Sequence, residues 1–123
     1  MKLHLEQNPS LNTVTAYGEG FVEINRQRFE GALILEPEGE VIAWQAESFE
    51  RLAAEHFAPL AARAPDLVLL GTGARQRFPH PRVWASLAHA GIGVEVMDTR
   101  AACRTYNILM GEGRRVLAAL LPL

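Results

Sequence analysis

The sequence predicts an α/β fold in which an antiparallel β-meander precedes a largely parallel sheet with helices packed on it. Three observations lead there. Residues 13–45 hold short β-branched and aromatic runs separated by turn signals. Residues 67–70 are a continuous apolar run, as in a strand buried on both faces. From Val41 onward, strand-like and helix-like stretches alternate, the order of a sheet with crossover helices.

In chain order, residues 13–17 and 21–24 are the first two strands, divided by Gly18-Glu19-Gly20, where glycine permits a tight reversal. A polar reversal over residues 25–28 leads into a strand at 29–35. Glu36-Pro37-Glu38-Gly39 has Pro second and Gly fourth, the pattern of a type I turn, and delivers a fourth meander strand at 41–44. Residues 46–63 are rich in helix formers, with Ser48 available as a cap and Pro59 dividing the stretch into two helical pieces. After the 67–70 strand, residues 80–90 read as a helix, with Pro81 at its first position and Gly91 at its C-terminal cap. Its apolar stripe is Val83, Trp84, Leu87 and Ala88, while Arg82, Ser86 and His89 face outward. Residues 93–97 form a strand, and Asp98 or Thr99 caps a helix reaching about Met110. Residues 115–121 close the fold as a strand that is central or covered. No repeat or linker interrupts the chain, so one domain over residues 1–123 is expected.

A chain of 123 residues can bury a core without disulfides, and 49% apolar with 21% charged residues is the composition of a globular protein. The net charge of −2 hides an asymmetry: residues 1–66 carry eleven acids and five bases, residues 67–123 three acids and seven bases. Neither half has the clustered basic composition of a nucleic-acid binder. The lone Cys103 has no internal disulfide partner, which suits a reducing cytoplasm. Residues 1–6 lack the apolar core of a signal peptide, and apolar runs such as 116–121 are too short to span a bilayer. A cytoplasmic location without membrane insertion is expected.

In open α/β sheets, ligands bind beyond the carboxyl ends of parallel strands. Two segments have that address. The first is Gly71-Thr72-Gly73-Ala74-Arg75-Gln76-Arg77-Phe78-Pro79. Gly71 and Gly73 let backbone amides approach a ligand or a neighbouring stretch of chain, and Arg75 and Arg77 add positive charge. It is neither a P-loop nor a full dinucleotide fingerprint. Two readings stand: a tight turn with solvated arginines, or a site for an anion or small polar ligand. The second segment is Asp98-Thr99, where a helix N-terminus accepts either an anion or its own capping carboxylate.

On that helix Ala101, Ala102, Thr105, Tyr106, Ile108 and Leu109 cover an apolar arc. Arg100, Arg104 and Asn107 form a polar stripe with Cys103 at its margin. Arg100 opposes the helix dipole at a cost of about 0.3–1 kcal/mol, so it reads either as part of a solvated face or as the neighbour of a carboxylate or bound anion. Enzyme templates fit poorly. Cys103 has no base adjacent in sequence, His4, His56, His80 and His89 are scattered, and no nucleophile elbow exists. No metal or cofactor is expected, and Trp44 and Trp84 read as core or interface residues.

Gly71-Thr72-Gly73, the run from Gly93-Val94-Glu95-Val96-Met97-Asp98-Thr99-Arg100 through Tyr106-Asn107, and Glu112-Gly113-Arg114-Arg115-Val116 together resemble a known family. It is the small α/β family that contains mitochondrial respiratory complex I assembly factor 3 and the adipogenesis-associated domain proteins. The resemblance implies a three-layer fold: a mixed, mostly parallel central sheet flanked by helices, with the meander as a small extra β layer. It also implies action through protein partners, and it singles out Gly71, Thr72, Gly73, Glu95, Asp98, Thr99, Thr105, Asn107 and Arg114.

The leading expectation is a non-catalytic interaction or assembly factor. The alternative is a small-molecule or anion-binding protein, or an enzyme of unassigned chemistry, using the groove at the Gly71–Gly73 loop and the Asp98-Thr99 helix start. Under both, Gly71, Thr72, Gly73, Arg75, Arg77, Asp98, Thr99, Arg104 and Asn107 surround one polar groove.

Overall fold

The structure, a computed structural model, describes residues 11–123, so the expectations for residues 1–6 and His4 lie outside the described residues. Strands β1 (Val14–Gly18), β2 (Phe21–Ile24) and β3 (Gln27–Glu30) form a three-stranded antiparallel sheet. Asn25 and Arg26 both have positive φ, the two-residue turn that matches the twist of a hairpin. The Asn25 side chain holds this turn in place, accepting from the Thr13 amide at 3.0 Å and donating to the Leu11 carbonyl at 3.1 Å.

The meander ends one strand earlier than expected. The predicted strand at 29–35 is two strands in different sheets: after β3, Gly31 adopts φ +82° and turns the chain away. β4 (Leu33–Leu35) and β5 (Ile42–Ala43) then form an antiparallel hairpin in the central sheet, so the predicted strand at 41–44 is a two-residue edge of that sheet. With β6 (Leu67–Gly71), β7 (Gly93–Met97) and β8 (Val116–Leu120), the central order is β5-β4-β8-β6-β7. β6 pairs in parallel with β7 and β8, and β4 is antiparallel to β8 and β5. Four strands therefore run one way and only β4 opposes them. β8 is central and wholly buried, as its unbroken apolar run demands.

Alternate residues of the central strands feed two cores. Leu33, Leu35, Leu69, Val116, Ala118 and Leu120 face helix α3 (Thr99–Gly111), which is sandwiched against the small sheet through Val14, Val22 and Ile24. Ile34, Val68, Leu70, Leu117 and Ala119 face α1 (Ala54–Ala62) and α2 (Ala85–His89) on the other side. The helices differ locally from expectation. The 46–63 stretch does fall into two pieces, a 3₁₀ turn at Phe49–Arg51 and α1, but the break lies at Leu52 and Ala53, both extended. Pro59 sits exposed inside α1, where its missing N–H deletes a single bond, that to the Glu55 carbonyl. Ser48 precedes the 3₁₀ turn without a side-chain capping bond.

The 80–90 helix begins as a 3₁₀ turn, Pro81–Trp84, before α2. Ala88 is exposed, and Ser86 turns inward with its hydroxyl buried and unpaired. In α3 the buried set is Thr99, Ala102, Cys103, Tyr106 and Met110. Cys103 is thus central to the core, whereas Ile108 is 61% exposed because it continues the Arg100 and Arg104 row at four-residue intervals.

Candidate functional site

The connection after β6 leads to the α2 face and the connection after β7 leads to α3 on the opposite face. Their divergence at the carboxyl ends of β6 and β7 is the place where open α/β sheets form a ligand crevice. Here the chain itself occupies it. The Gly73 amide donates to Thr99 Oγ1 at 2.8 Å, and that hydroxyl donates onward to the Leu121 carbonyl at 2.7 Å. The Thr99 amide in turn donates to the Gly73 carbonyl at 2.9 Å. Gly71 is required for this approach: a Cβ there would lie 2.9 Å from both Thr99 Oγ1 and Leu120 Cδ2.

Thr72 is fully buried and organises the loop that follows. Its hydroxyl donates to the Arg75 carbonyl at 2.7 Å and accepts from the Arg77 amide at 3.2 Å, while its own amide donates to the Met97 carbonyl at 2.9 Å. Gln76 adds a bond from Nε2 to the Val96 carbonyl at 2.9 Å. Asp98 is the cap of α3, with Oδ1 accepting from the Ala101 amide at 2.9 Å.

The nine candidate residues thus separate into three sets. Gly71, Thr72, Gly73 and Thr99 come together as a hydrogen-bonded staple, with Asp98 beside it as the cap of α3. Arg75 and Arg77 lie on the loop that the staple holds. Arg104 and Asn107 turn to the small sheet: Arg104 Nη1 donates to the Tyr17 hydroxyl at 2.9 Å, and Asn107 pairs with the backbone of Val14. They line a separate cleft of about 90 Å³ with residues of β1 and Cys103. Arg114 borders another hollow of about 400 Å³ with Glu36, Glu38 and Arg115, at the start of β8 and so at the opposite end of the sheet from the glycine loop.

Beside the loop, a groove of about 370 Å³ has a floor of Phe49, Leu52, Pro79 and Val83 and a rim of Glu50, Arg77, His80 and Arg82. Arg77 stacks over the Phe49 ring at 4.3 Å, and its Nη1 donates to Glu50 Oε2 at 2.9 Å. Backbone hydrogen bonding and this guanidinium hold the exposed Glu50 carboxyl below its ordinary pKa. Arg77 Nε is buried and unpaired. Phe78, between Arg77 and Pro79, is 69% exposed. Neither Phe78 nor the Phe49–Glu50 partner of Arg77 is among the residues that sequence predicts for the site. An aromatic residue inside a Pro- and Arg-rich loop was the available signal for the first; the second needed the fold.

Two histidines serve as structural acceptors: His56 Nδ1 takes the Ala53 amide at 3.0 Å, and His80 Nδ1 takes the Arg82 amide at 3.1 Å. Burial pushes the Cys103 thiol up to about 12 and raises the Tyr106 phenol as well. Trp44 is buried, donating to the His56 carbonyl at 3.0 Å and packing edge-on against Phe57. Among the described residues, no helix is long and apolar enough to cross a membrane.

A family described as protein of unknown function (DUF498/DUF598) matches residues 14–121. The chain belongs to the DUF498/DUF598 family. Within reach of this DUF498/DUF598 chain is NADH dehydrogenase (ubiquinone) 1 alpha subcomplex assembly factor 3 of Bos taurus, 35% identical over 119 residues. That match covers 94% of the chain and 64% of the bovine protein, so the chain spans less than two thirds of the relative's length. The crystal structure of a Bordetella parapertussis protein superposes with a TM-score of 0.87 at 49% identity, covering 93% of this chain and 98% of the other. The solution structure of a Bordetella pertussis protein, described as a Mth938-like domain, gives 0.83 at 43% identity, covering 99% and 92%. The DUF498/DUF598 membership and the assembly-factor relative agree with the family resemblance, and the two Bordetella structures agree with the mixed α/β architecture.

Proposed function

We propose that this chain is a non-catalytic interaction or assembly factor, acting in the cytoplasm as one domain through a protein partner. The observation that carries this reading is the filled crevice. Where a related sheet would open for a ligand, Thr99 Oγ1 takes up the Gly73 amide and donates in turn to the Leu121 carbonyl, and the loop beyond presents its side chains at the surface. In this reading Gly71, Thr72, Gly73, Asp98 and Thr99 hold the loop, and Arg75 and Arg77 face the partner. The name of the bovine relative supports assembly of a respiratory complex as the setting.

Two measurements test it. Deletion of the gene in its host should leave subassemblies of the respiratory NADH dehydrogenase on native gels, restored by the wild-type chain; normal complex levels would remove that setting. A binary complex with a defined partner, reconstituted from purified components, supports the interaction reading itself. The competing reading, a small anionic ligand, draws on the unpaired Nε of Arg77. Phosphate, nucleotides and carboxylates should leave the Tm unchanged if the proposal is right, since a ligand at 100 times its Kd adds about 2.7 kcal/mol.

A further inference from the structure

Phe78 is one of two large apolar side chains exposed among the described residues, and it stands on a loop that the staple of Thr72 makes rigid. A rigid loop loses little entropy on binding, and aromatic residues with flanking arginines are the side chains that concentrate binding energy at protein interfaces. The adjoining groove has an apolar floor, Phe49, Leu52, Pro79 and Val83, of a volume suited to one large side chain. Its charges are not balanced. Glu50 is matched by Arg77, and Glu47 by Arg51 at 3.5 Å. Arg75 and Arg82 are exposed and have no carboxylate within ion-pair distance among the described residues. The surplus is therefore positive, from Arg82 on the rim of the groove and Arg75 on the adjoining loop.

We propose that Phe78 and this groove receive an acidic segment of a partner protein, whose apolar side chain enters the groove while its carboxylates meet Arg75 and Arg82. The proposal rests on the interaction reading above and supplies the partner's chemistry. Two unpaired arginines with one aromatic ring are too few for a nucleic-acid track, which needs several phosphate contacts. Charge complementarity selects an acidic protein segment, with the apolar anchor giving affinity and the arginines giving orientation and on-rate.

The probe is a short synthetic peptide carrying Leu and Phe flanked by Glu and Asp. Beside it are run a counterpart with Lys at the acidic positions, a counterpart with Ser at the apolar positions, and vesicles of anionic phospholipid. Amide chemical shifts of the intact chain are the readout. The acidic-apolar peptide should move resonances of residues 49–52 and 75–83 and bind more weakly as salt rises. Phe78→Ser should weaken it about tenfold, and Arg75→Ala with Arg82→Ala should weaken it several-fold, with the Tm of each variant close to wild type. Equal binding of the Lys peptide, shifts confined to another face, binding of vesicles but not peptide, or self-association abolished by the same substitutions would overturn the proposal. A reconstituted partner complex that survives Phe78→Ser would sink this surface while leaving the interaction reading intact.

Discussion

Asn107 captures both backbone polar groups of Val14: the Val14 amide donates to Oδ1 and Nδ2 donates to the Val14 carbonyl, each at 2.9 Å. The side-chain amide stands in for the missing neighbour on the outer side of β1, an edge strand that would otherwise leave these groups open. It also fixes α3 against the small sheet, joining layers whose residues lie 93 positions apart.

Replacing Asn107 by Ala should destabilise the fold by about 2–3 kcal/mol, through two lost hydrogen bonds and two part-buried backbone groups left unpaired. Asn107→Asp keeps the acceptor but sets a carboxylate against the Val14 carbonyl, and should be no better. Urea denaturation monitored by Trp fluorescence checks both; a change below about 0.5 kcal/mol, the range of neutral surface sites, refutes the bridging role.

Thr99→Val removes the hydroxyl that links the Gly73 amide to the Leu121 carbonyl and should cost about 2–4 kcal/mol. Thr99→Ser retains the hydroxyl and should cost less than about 1.5 kcal/mol, the loss of one methyl group. Gly71→Ala forces a Cβ against Thr99 and Leu120 and should cost about 1–3 kcal/mol by overpacking. Thr99→Val and Thr99→Ser behaving alike in chemical denaturation would count against the staple.

Burial disfavours the Cys103 thiolate and pushes the thiol of the folded protein up to about 12 from an ordinary 9.0. Between those values the unfolded chain has released a proton that the folded chain retains, so unfolding is favoured as pH rises. The contribution is intact below about 9 and is lost progressively toward about 12, with Tyr106 acting in the same direction. The denaturation midpoint should therefore fall above that lower value, and fall less steeply in Cys103→Ala. A thiol reagent should label Cys103 only on unfolding; rapid labelling of the native chain would show that the side chain is reached by solvent.

Ser86→Ala should stabilise the protein by about 1 kcal/mol, since it deletes a buried hydroxyl without a partner and improves helix propensity in α2. Thermal melts give the comparison, and a lower Tm would mean that the hydroxyl has a partner after all.

Much of this architecture was legible in residue order. The strands ending at Gly71 and Met97, the buried strand at the C-terminal end, the cap at Asp98 and the glycine loop all follow from apolar runs, glycine placement and capping chemistry acting over a few residues. The break at Gly31 was harder to read, because a lone glycine carries no turn signature of its own and its positive φ separates the two sheets. The inward turn of Ser86 and the outward position of Ile108 escaped for a related reason. Helical period names faces, but the neighbour chosen by each face is set by the packing of other elements.

The candidate site divides along the same line. Sequence by itself determined which residues carry hydrogen-bonding and charge around the glycine loop, since those depend on residue type and spacing. Tertiary structure alone decided their destinations: Thr99 closes the crevice with residues 26 and 22 positions away, Arg104 and Asn107 turn to β1, and Phe78 is left facing solvent. Side-chain hydrogen bonds between distant segments form only when sheet order and helix placement bring their atoms within about 3 Å. That approach is a property of the packed layers, for which local sequence holds no direct record.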